Sequence, residues 1–371
     1  MGFIPVNEPL LDGNEGKYLA ECVEQGWLSS EGPFVARFEE TLASDLGRNH
    51  GIAVSSGSAA LEVAVAALRL GPGDEVILPS FTIISSLAPI VRAGATPILV
   101  DMQPDTWNMD VSQIEAAIGP RTRAIIVVHI YGLPADMDPI LALAEKHGLV
   151  VIEDAAEMHG QSYRGRPCGS FGDLSILSFY ANKHVTTGEG GMVLCDDRQL
   201  AERCRGLRNL CFDNKRRFVH QELGWNYRIT NMQAAVGLAQ SEQLTKTVQG
   251  KRAMGAYYTA SLADVSGLTL PLAATDYAEN IYWVYGLVLE DDVNFDAAEA
   301  ITRLQAEGIG CRPFFWPMHE QPVFRDMGLF VGDRYPVAER LARRGFYLPS
   351  GAALTEPQMA RVCEAVTKVM K

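Results

Sequence analysis

Lys183 closes the run Leu177-Ser178-Phe179-Tyr180-Ala181-Asn182-Lys183, just ahead of the glycine-rich turn Thr186-Thr187-Gly188-Glu189-Gly190-Gly191. The chain has only eight lysines, and this one has the least surface-like context. A desolvated lysine loses its proton more easily, and the neutral amine can form a Schiff base with a carbonyl. A lone lysine at a strand end is more commonly a surface residue with its stem over apolar neighbours. A second signal is Val150-Val151-Ile152-Glu153-Asp154-Ala155-Ala156-Glu157, an apolar run that ends in acids. Ligands of parallel α/β sheets sit at the carboxyl ends of strands. A carboxylate there could pair with a protonated ring nitrogen or a metal; otherwise it is a turn or cap residue. Strand alternation sends Glu153 and Asp154 to opposite faces, so only one of them can serve a given site. The third signal is Ser56-Gly57-Ser58-Ala59-Ala60-Leu61, a small turn opening into a helix. Its free N–H groups and the positive helix end suit a phosphate, and an ordinary serine N-cap has the same look.

The seven histidines contain no H-x-x-x-H or H-E-x-x-H pair, so a helical zinc site is disfavoured and no metal is expected. His147 belongs to a polar helix end and His129 to a strand end.

These residues need a frame. Short Val/Ile-rich runs at Glu75–Pro79, Thr96–Val100, Ala124–Ile130, Leu149–Ile152 and Leu174–Phe179 read as buried strands of a largely parallel sheet. Gly191–Leu194 follows too closely for a crossover helix and suggests one antiparallel pairing. Helical patterns lie at Ser58–Arg69, Met137–His147 and Asn231–Leu244. From about Gly250 the character changes to a smaller α+β unit, with a strand at Trp283–Leu289 and helices at Ala297–Glu307 and Glu356–Met370. The expected division is a large domain over 1–248 and a small one over 249–371. Asn209–Gly224 reads as a long polar loop, a kind of segment that is often functional.

The 371 residues are 47% hydrophobic and 21% charged, which excludes disordered and fibrous classes. A net charge of −13 gives no general attraction to nucleic acid. No apolar stretch is long enough for a membrane span, and Met1–Asn14 lacks the features of a signal peptide. Seven scattered cysteines without a C-x-x-C pair suit reduced thiols, so a cytoplasmic protein is expected.

The order and spacing of the three signals resemble fold-type I pyridoxal 5'-phosphate (PLP) enzymes. The strings D-A-A-E (Asp154–Glu157), G-x-x-G-D (Gly169–Asp173), S-F-x-x-N-K (Ser178–Lys183), T-T-G-E-G-G (Thr186–Gly191) and N-Y-R-x-T-N (Asn226–Asn231) narrow this further. They resemble the DegT/DnrJ/EryC1/StrS sugar aminotransferases. G-W-L-S-S near Gly26–Ser30, H-x-Y-G at His129–Gly132 and R-P-F-F-W-P-M-H at Arg312–His319 extend the likeness to nearly the whole chain. The resemblance implies PLP on Lys183, with Asp154 at the pyridine nitrogen and Glu157 near the ring oxygen or the substrate. Ser56, Gly57, Ser58, Ser178 and Asn182 would complete the cofactor site. Asn226 would reach the phosphate from a neighbouring subunit, making a homodimer with shared active sites. Substrate contacts would come from His159, Glu189, Arg228, Arg312, Trp316 and His319, with either arginine open as the receiver of the donor's carboxylate. Ile83 stands where relatives place an aromatic ring over the cofactor, so either Phe81 substitutes or the cofactor is held a little differently. A dehydratase branch carries His in place of the lysine; here Lys183 is present and followed by His184, which favours transamination.

By the same resemblance the donor would be L-glutamate. The acceptor would be a nucleotide-linked 4-keto-6-deoxyhexose aminated at C4, as in the GDP-perosamine-forming branch that serves O-antigen and cell-surface polysaccharides. The loop Asn209–Gly224 lacks that branch's G-Q-G start. A non-nucleotide keto sugar, such as an 8-oxo derivative of Kdo, is the alternative acceptor. A PLP-dependent sugar dehydratase and a non-catalytic regulatory protein are the remaining alternatives. Lys215, Arg216 and Arg217 could meet a diphosphate, although basic runs are more often solvated.

Overall fold

The computed structural model describes residues 2–213, 215–216 and 218–371. Its centre is a seven-stranded sheet of β1 (His50–Val54), β2 (Glu75–Pro79), β3 (Thr96–Val100), β4 (Thr122–Val128), β5 (Val150–Asp154), β8 (Leu174–Ser178) and β9 (Gly191–Cys195). A two-stranded hairpin, β6 (Ser162–Tyr163) and β7 (Arg166–Pro167), lies between β5 and β8 in the chain. The sheet order is β1-β9-β8-β5-β4-β2-β3. Only β9 runs against the rest, pairing antiparallel with both β1 and β8. The parallel strands are apolar nearly throughout because helices cover both faces, and a distinct apolar cluster fills each face.

Helices α1 (Glu15–Gln25), α2 (Pro33–Asp45), α3 (Gly57–Ala67), α4 (Ala88–Arg92), α5 (Ile114–Ala117), α6 (Met137–His147), α7 (Arg198–Arg208) and α8 (Asn231–Glu242) accompany this sheet. α6 ends where the sequence places a stop, at Gly148 in the left-handed region with φ 64°. α8 opens with a full capping box between Thr230 and Gln233.

A second sheet, of order β10-β11-β13-β12, is antiparallel throughout. Its strands are β10 (Leu268–Thr269), β11 (Tyr285–Leu289), β12 (Arg312–Pro313) and β13 (Gly345–Leu348). It packs with α9 (Leu244–Leu262), α10 (Ala297–Ala306) and α13 (Glu356–Val369) around a third apolar cluster, while Phe324 of α11 (Pro322–Asp326) and Ala338 and Leu341 of α12 (Pro336–Arg344) join the first. The expected 248/249 division falls inside α9. The two sheets are tied by polar contacts: Asp101, just after β3, accepts N–H bonds from Val337 and Ala338 at the start of α12, and Met318 N donates to Ser80 O at 2.8 Å. No helix among the described residues is long and apolar enough to cross a membrane.

Candidate active site

Three elements converge on one cavity of about 360 Å³. The first is the start of α3. Ser56 caps it, its Oγ accepting from Ala59 N at 3.0 Å. The first intrahelical bond runs from Ala60 N to Ser56 O, so the N–H groups of Gly57 and Ser58 lie at the open helix end. The cap and the anion cradle are therefore the same structure. Glycine is required at two neighbouring places. A Cβ on Gly191 would sit 2.3 Å from Ser56 O, and one on Gly57 would sit 2.8 Å from Ser178 Cβ. These close approaches bring β8, β9 and the head of α3 together.

The second element is the end of β5. Asp154 is 2% exposed and faces the cavity. Its carboxylate accepts from Ser86 Oγ at 3.1 Å and Ala156 N at 3.2 Å. Burial raises its pKa, and these two donors, together with Lys183 and His129, oppose the rise. Glu153 points to the opposite face, where it accepts from Gly169 N and Phe171 N and bonds His129 Nε2 at 3.1 Å. Glu157 closes the segment. Tyr131, held at φ 57°, turns its N–H onto Glu157 Oε2 at 2.7 Å. Burial pushes the Glu157 carboxyl up to about 8, against the pull of Lys183.

The third element is the loop after β8. Lys183 Nζ lies 3.8 Å from Glu157 Oε1 and 3.6 Å from the centre of the Trp283 ring. Burial lowers its pKa, and Glu157 and Asp154 act the other way. The site thus holds an amine biased toward its neutral, nucleophilic form beside one carboxylate held by hydrogen bonds and one biased toward protonation. Such a set can form a bond to a carbonyl, hold a cationic ring nitrogen and move a proton.

Ser56, Gly57, Ser58, Ile83, Asp154, Glu157, Ser178, Asn182, Lys183 and Glu189 all line this cavity. Ile83 is nearly half exposed there, whereas Phe81 is fully buried among Tyr131, Phe314 and Phe315 and does not line it. Six candidates lie elsewhere. Arg228 donates to Asn209 Oδ1 at 2.6 Å, and both line a separate cleft of about 590 Å³. Asn226 pairs with Asn209 through a backbone bridge. His159 is buried outside the cavity lining, its Nε2 2.8 Å from Ser178 O. His319 is buried with its Nε2 3.2 Å from Glu339, which also binds Arg334. Arg312 is exposed on β12, and Trp316 is exposed with the Arg343 guanidinium 5.2 Å from its ring. Lys215 and Arg216 bond Asp213 through their backbone N–H groups, and Arg217 lies outside the described residues.

Sequence reasoning missed the aromatic wall of Tyr180, Trp283, Phe315 and Tyr347. The indole of Trp283 is fixed by Nε1 donating to Asn182 O at 3.0 Å. The string Tyr282-Trp283-Val284-Tyr285 was visible, but a strand in a buried core has the same composition.

The His159 contact gives a pH prediction. Burial pushes its pKa from the ordinary 6.5 down to about 4. The unfolded chain therefore takes up this proton first as the pH falls. The stability His159 confers is complete above pH 6.5 and is lost progressively as the pH approaches 4, about 3 kcal/mol at the limit. His184, lowered by burial in the same sense, adds to the loss. Urea unfolding at pH 7 and pH 4.5 should show this drop, and His159→Gln, which keeps a donor for Ser178 O, should shrink it. Equal stability at both pH values would refute it.

A neutral-leaning buried amine, a strand-end carboxylate and an anion-binding helix end on a mostly parallel sheet define a PLP-dependent transferase of fold type I. The chain belongs to the DegT/DnrJ/EryC1/StrS aminotransferase family, whose pattern matches residues 9–367. It is similar to the GDP-perosamine synthase of Caulobacter vibrioides, at 42% identity over 99% of this chain and 98% of that one. The GDP-perosamine synthase of Escherichia coli O157:H7 is 38% identical over 99% of both chains. Among solved structures, Streptomyces venezuelae DesV in complex with a ketimine intermediate superposes with a TM-score of 0.91 at 34% identity, covering 100% of this chain and 99% of that one. The protein is accordingly a PLP-dependent aminotransferase.

Proposed function

We propose that the chain transfers the amino group of L-glutamate to C4 of a GDP-linked 4-keto-6-deoxyhexose, making an amino sugar for a cell-surface polysaccharide. The convergence of Lys183, Asp154 and Glu157 on one cavity carries the chemistry. Full-length identity to GDP-perosamine synthases supports the choice of acceptor.

The residues present fit the cofactor. The N–H groups of Gly57 and Ser58 and the Ser178 hydroxyl would hold its phosphate, Asp154 its ring nitrogen and Lys183 its aldehyde carbon. Ile83, Ala156 and Ile176 add apolar surface to the same cavity. Bound there, PLP supplies an electron sink for negative charge at the donor's α-carbon. Lys183 Nζ takes the proton from that carbon and later delivers one to C4 of the acceptor. Asp154 stays ionised and keeps a proton on the ring nitrogen. Trp283 holds the amine in place whenever it is free and charged. Asn226 of a second copy would complete the phosphate site, so a homodimer is part of the reading.

Gly57→Ala is a sharp test of the cradle. The new Cβ would meet Ser178 Cβ at 2.8 Å, forcing two cofactor-holding residues apart. Overpacking of this kind costs about 1–3 kcal/mol, so cofactor affinity should fall roughly 10- to 100-fold in a titration. Unchanged affinity would remove this helix end from the site.

The function itself is tested by absorbance. The visible band of the PLP-loaded protein should bleach with L-glutamate and return with GDP-4-keto-6-deoxymannose. It should not return with UDP- or dTDP-linked keto sugars or with 8-oxo-Kdo. Return with one of those instead would reassign the acceptor, and no response to any amino donor would overturn the reading.

A further inference from the structure

A second, much smaller cavity adjoins the reaction cavity, and Asn182 and Lys183 line both. Its volume of about 10 Å³ has room for a single water. Its other walls include Leu10, Thr247, Lys251 and Ala352, which also line an outer groove of about 410 Å³. Asp12 and Lys246 put that groove at the protein surface. Shared lining residues therefore link three spaces in series, from the surface to the cavity that Lys183 lines.

The small cavity is polar where it matters. His184 is 5% exposed, and its Nε2 is buried without a hydrogen-bond partner among the described residues. Its Nδ1 lies 3.1 Å from the carbonyl of His159, so Nδ1 carries the hydrogen and Nε2 is an acceptor. Asn182 Oδ1, a second acceptor, is likewise buried and unpartnered. Lys251 is 4% exposed and supplies donors. Its Nζ bonds Trp283 O at 2.9 Å and also Ser350 O, which uses two of its three N–H groups. His184, Asn182 and Lys251 all line this space, so two acceptors and one donor are available to a buried water, the number of partners such a water takes.

Transamination needs water beside Lys183, at the carbon–nitrogen double bond that joins the donor's carbon to the transferred nitrogen. To free the donor as an oxo acid, a water oxygen bonds to the carbon of a carbon–nitrogen double bond. Both water hydrogens pass to the nitrogen, the carbon–nitrogen bond breaks, and a carbonyl and a primary amine result. Joining the acceptor ketone reverses this and expels one water. A reaction cavity of about 360 Å³ is of ligand size, so bound substrate obstructs the front route at the moment water is required.

We propose that the small cavity is a water-binding site on a rear passage, through which water reaches and leaves Lys183 Nζ while substrate fills the front cavity. The proposal rests on the aminotransferase reading. A high-resolution crystal structure of the PLP-loaded protein should show one water between His184 Nε2, Asn182 Oδ1 and Lys251 Nζ. Ala352→Leu, on the wall shared with the outer groove, should displace it. In single turnovers with L-glutamate, Ala352→Leu should slow release of the oxo acid at least about fivefold. Bleaching of the visible band, which precedes water addition, should keep its rate. If Ala352→Leu does not fold, Thr247→Leu narrows the same cavity from α9. No density between the three atoms would overturn the site. A variant that lacks the water yet releases oxo acid at the original rate would overturn the passage. Failure of the aminotransferase reading looks different, since the band of the unmodified protein would then never bleach.

Discussion

Replacing Lys183 with alanine should abolish transamination and leave the fold intact. No other lysine lines the reaction cavity among the described residues, so no second amine there can form the covalent link. General acid–base catalysis alone is worth about 10²- to 10⁴-fold, and this residue also forms the covalent link, so turnover should fall by at least about 10⁴-fold. Lys183→Arg should fare no better, because a guanidinium stays protonated and cannot form the link. The fold has little to lose. The amine is desolvated and biased toward its neutral form, its contact with Glu157 is long at 3.8 Å, and Glu157 leans toward protonation, so little pairing is lost. The melting temperature should hold or rise. Loss of the visible band, loss of amino-sugar product and an unchanged melting curve together would assign a chemical role. Retained turnover in Lys183→Ala would sink the assignment.

Asp154 closes the buried strand Val150–Asp154 and Lys183 follows the strand Leu174–Ser178, so the strand pattern located both, while their roles came from the resemblance. Runs such as Val150–Asp154 are apolar on both faces, which only a covered parallel strand explains. Met137–His147 was legible to the residue because Gly148 supplies the left-handed stop. His50–Val54 escaped a sequence reading. It is short, and its one sheet neighbour, Gly191–Cys195, lies far along the chain. The aromatic wall escaped for a related reason. Trp283, Phe315 and Tyr347 reach the cavity only because the second sheet folds back onto the first, a non-local event without a local pattern. His159 and His319 were candidates by resemblance; in the fold they are buried with hydrogen bonds to Ser178 O and Glu339, partners that lie far along the chain and leave no local pattern.

Asp154→Asn should separate the two acids of the site. The amide keeps the shape of the carboxylate and fits the end of β5, so the fold should survive. It also removes a buried charge, which costs the native state nothing. What it cannot do is remain anionic. Ser86 Oγ and Ala156 N favour the anion of Asp154 and oppose the burial that raises its pKa. Asparagine would turn its NH₂ toward one of those donors or toward the ring nitrogen, and in neither pose could it hold a proton there. Loss of a preorganised charge at a reacting system costs about 10²- to 10³-fold in kcat, with little change in the glutamate KM. The visible band should persist, because Lys183 is untouched. Glu157→Gln is the matched control. Its carboxyl is pushed up to about 8 and is largely protonated near neutral pH, so glutamine imitates the form already present. Its loss in kcat should stay below about tenfold. A larger loss in Glu157→Gln than in Asp154→Asn would exchange the two roles and place the essential anion at the end of the D-A-A-E string instead of its start.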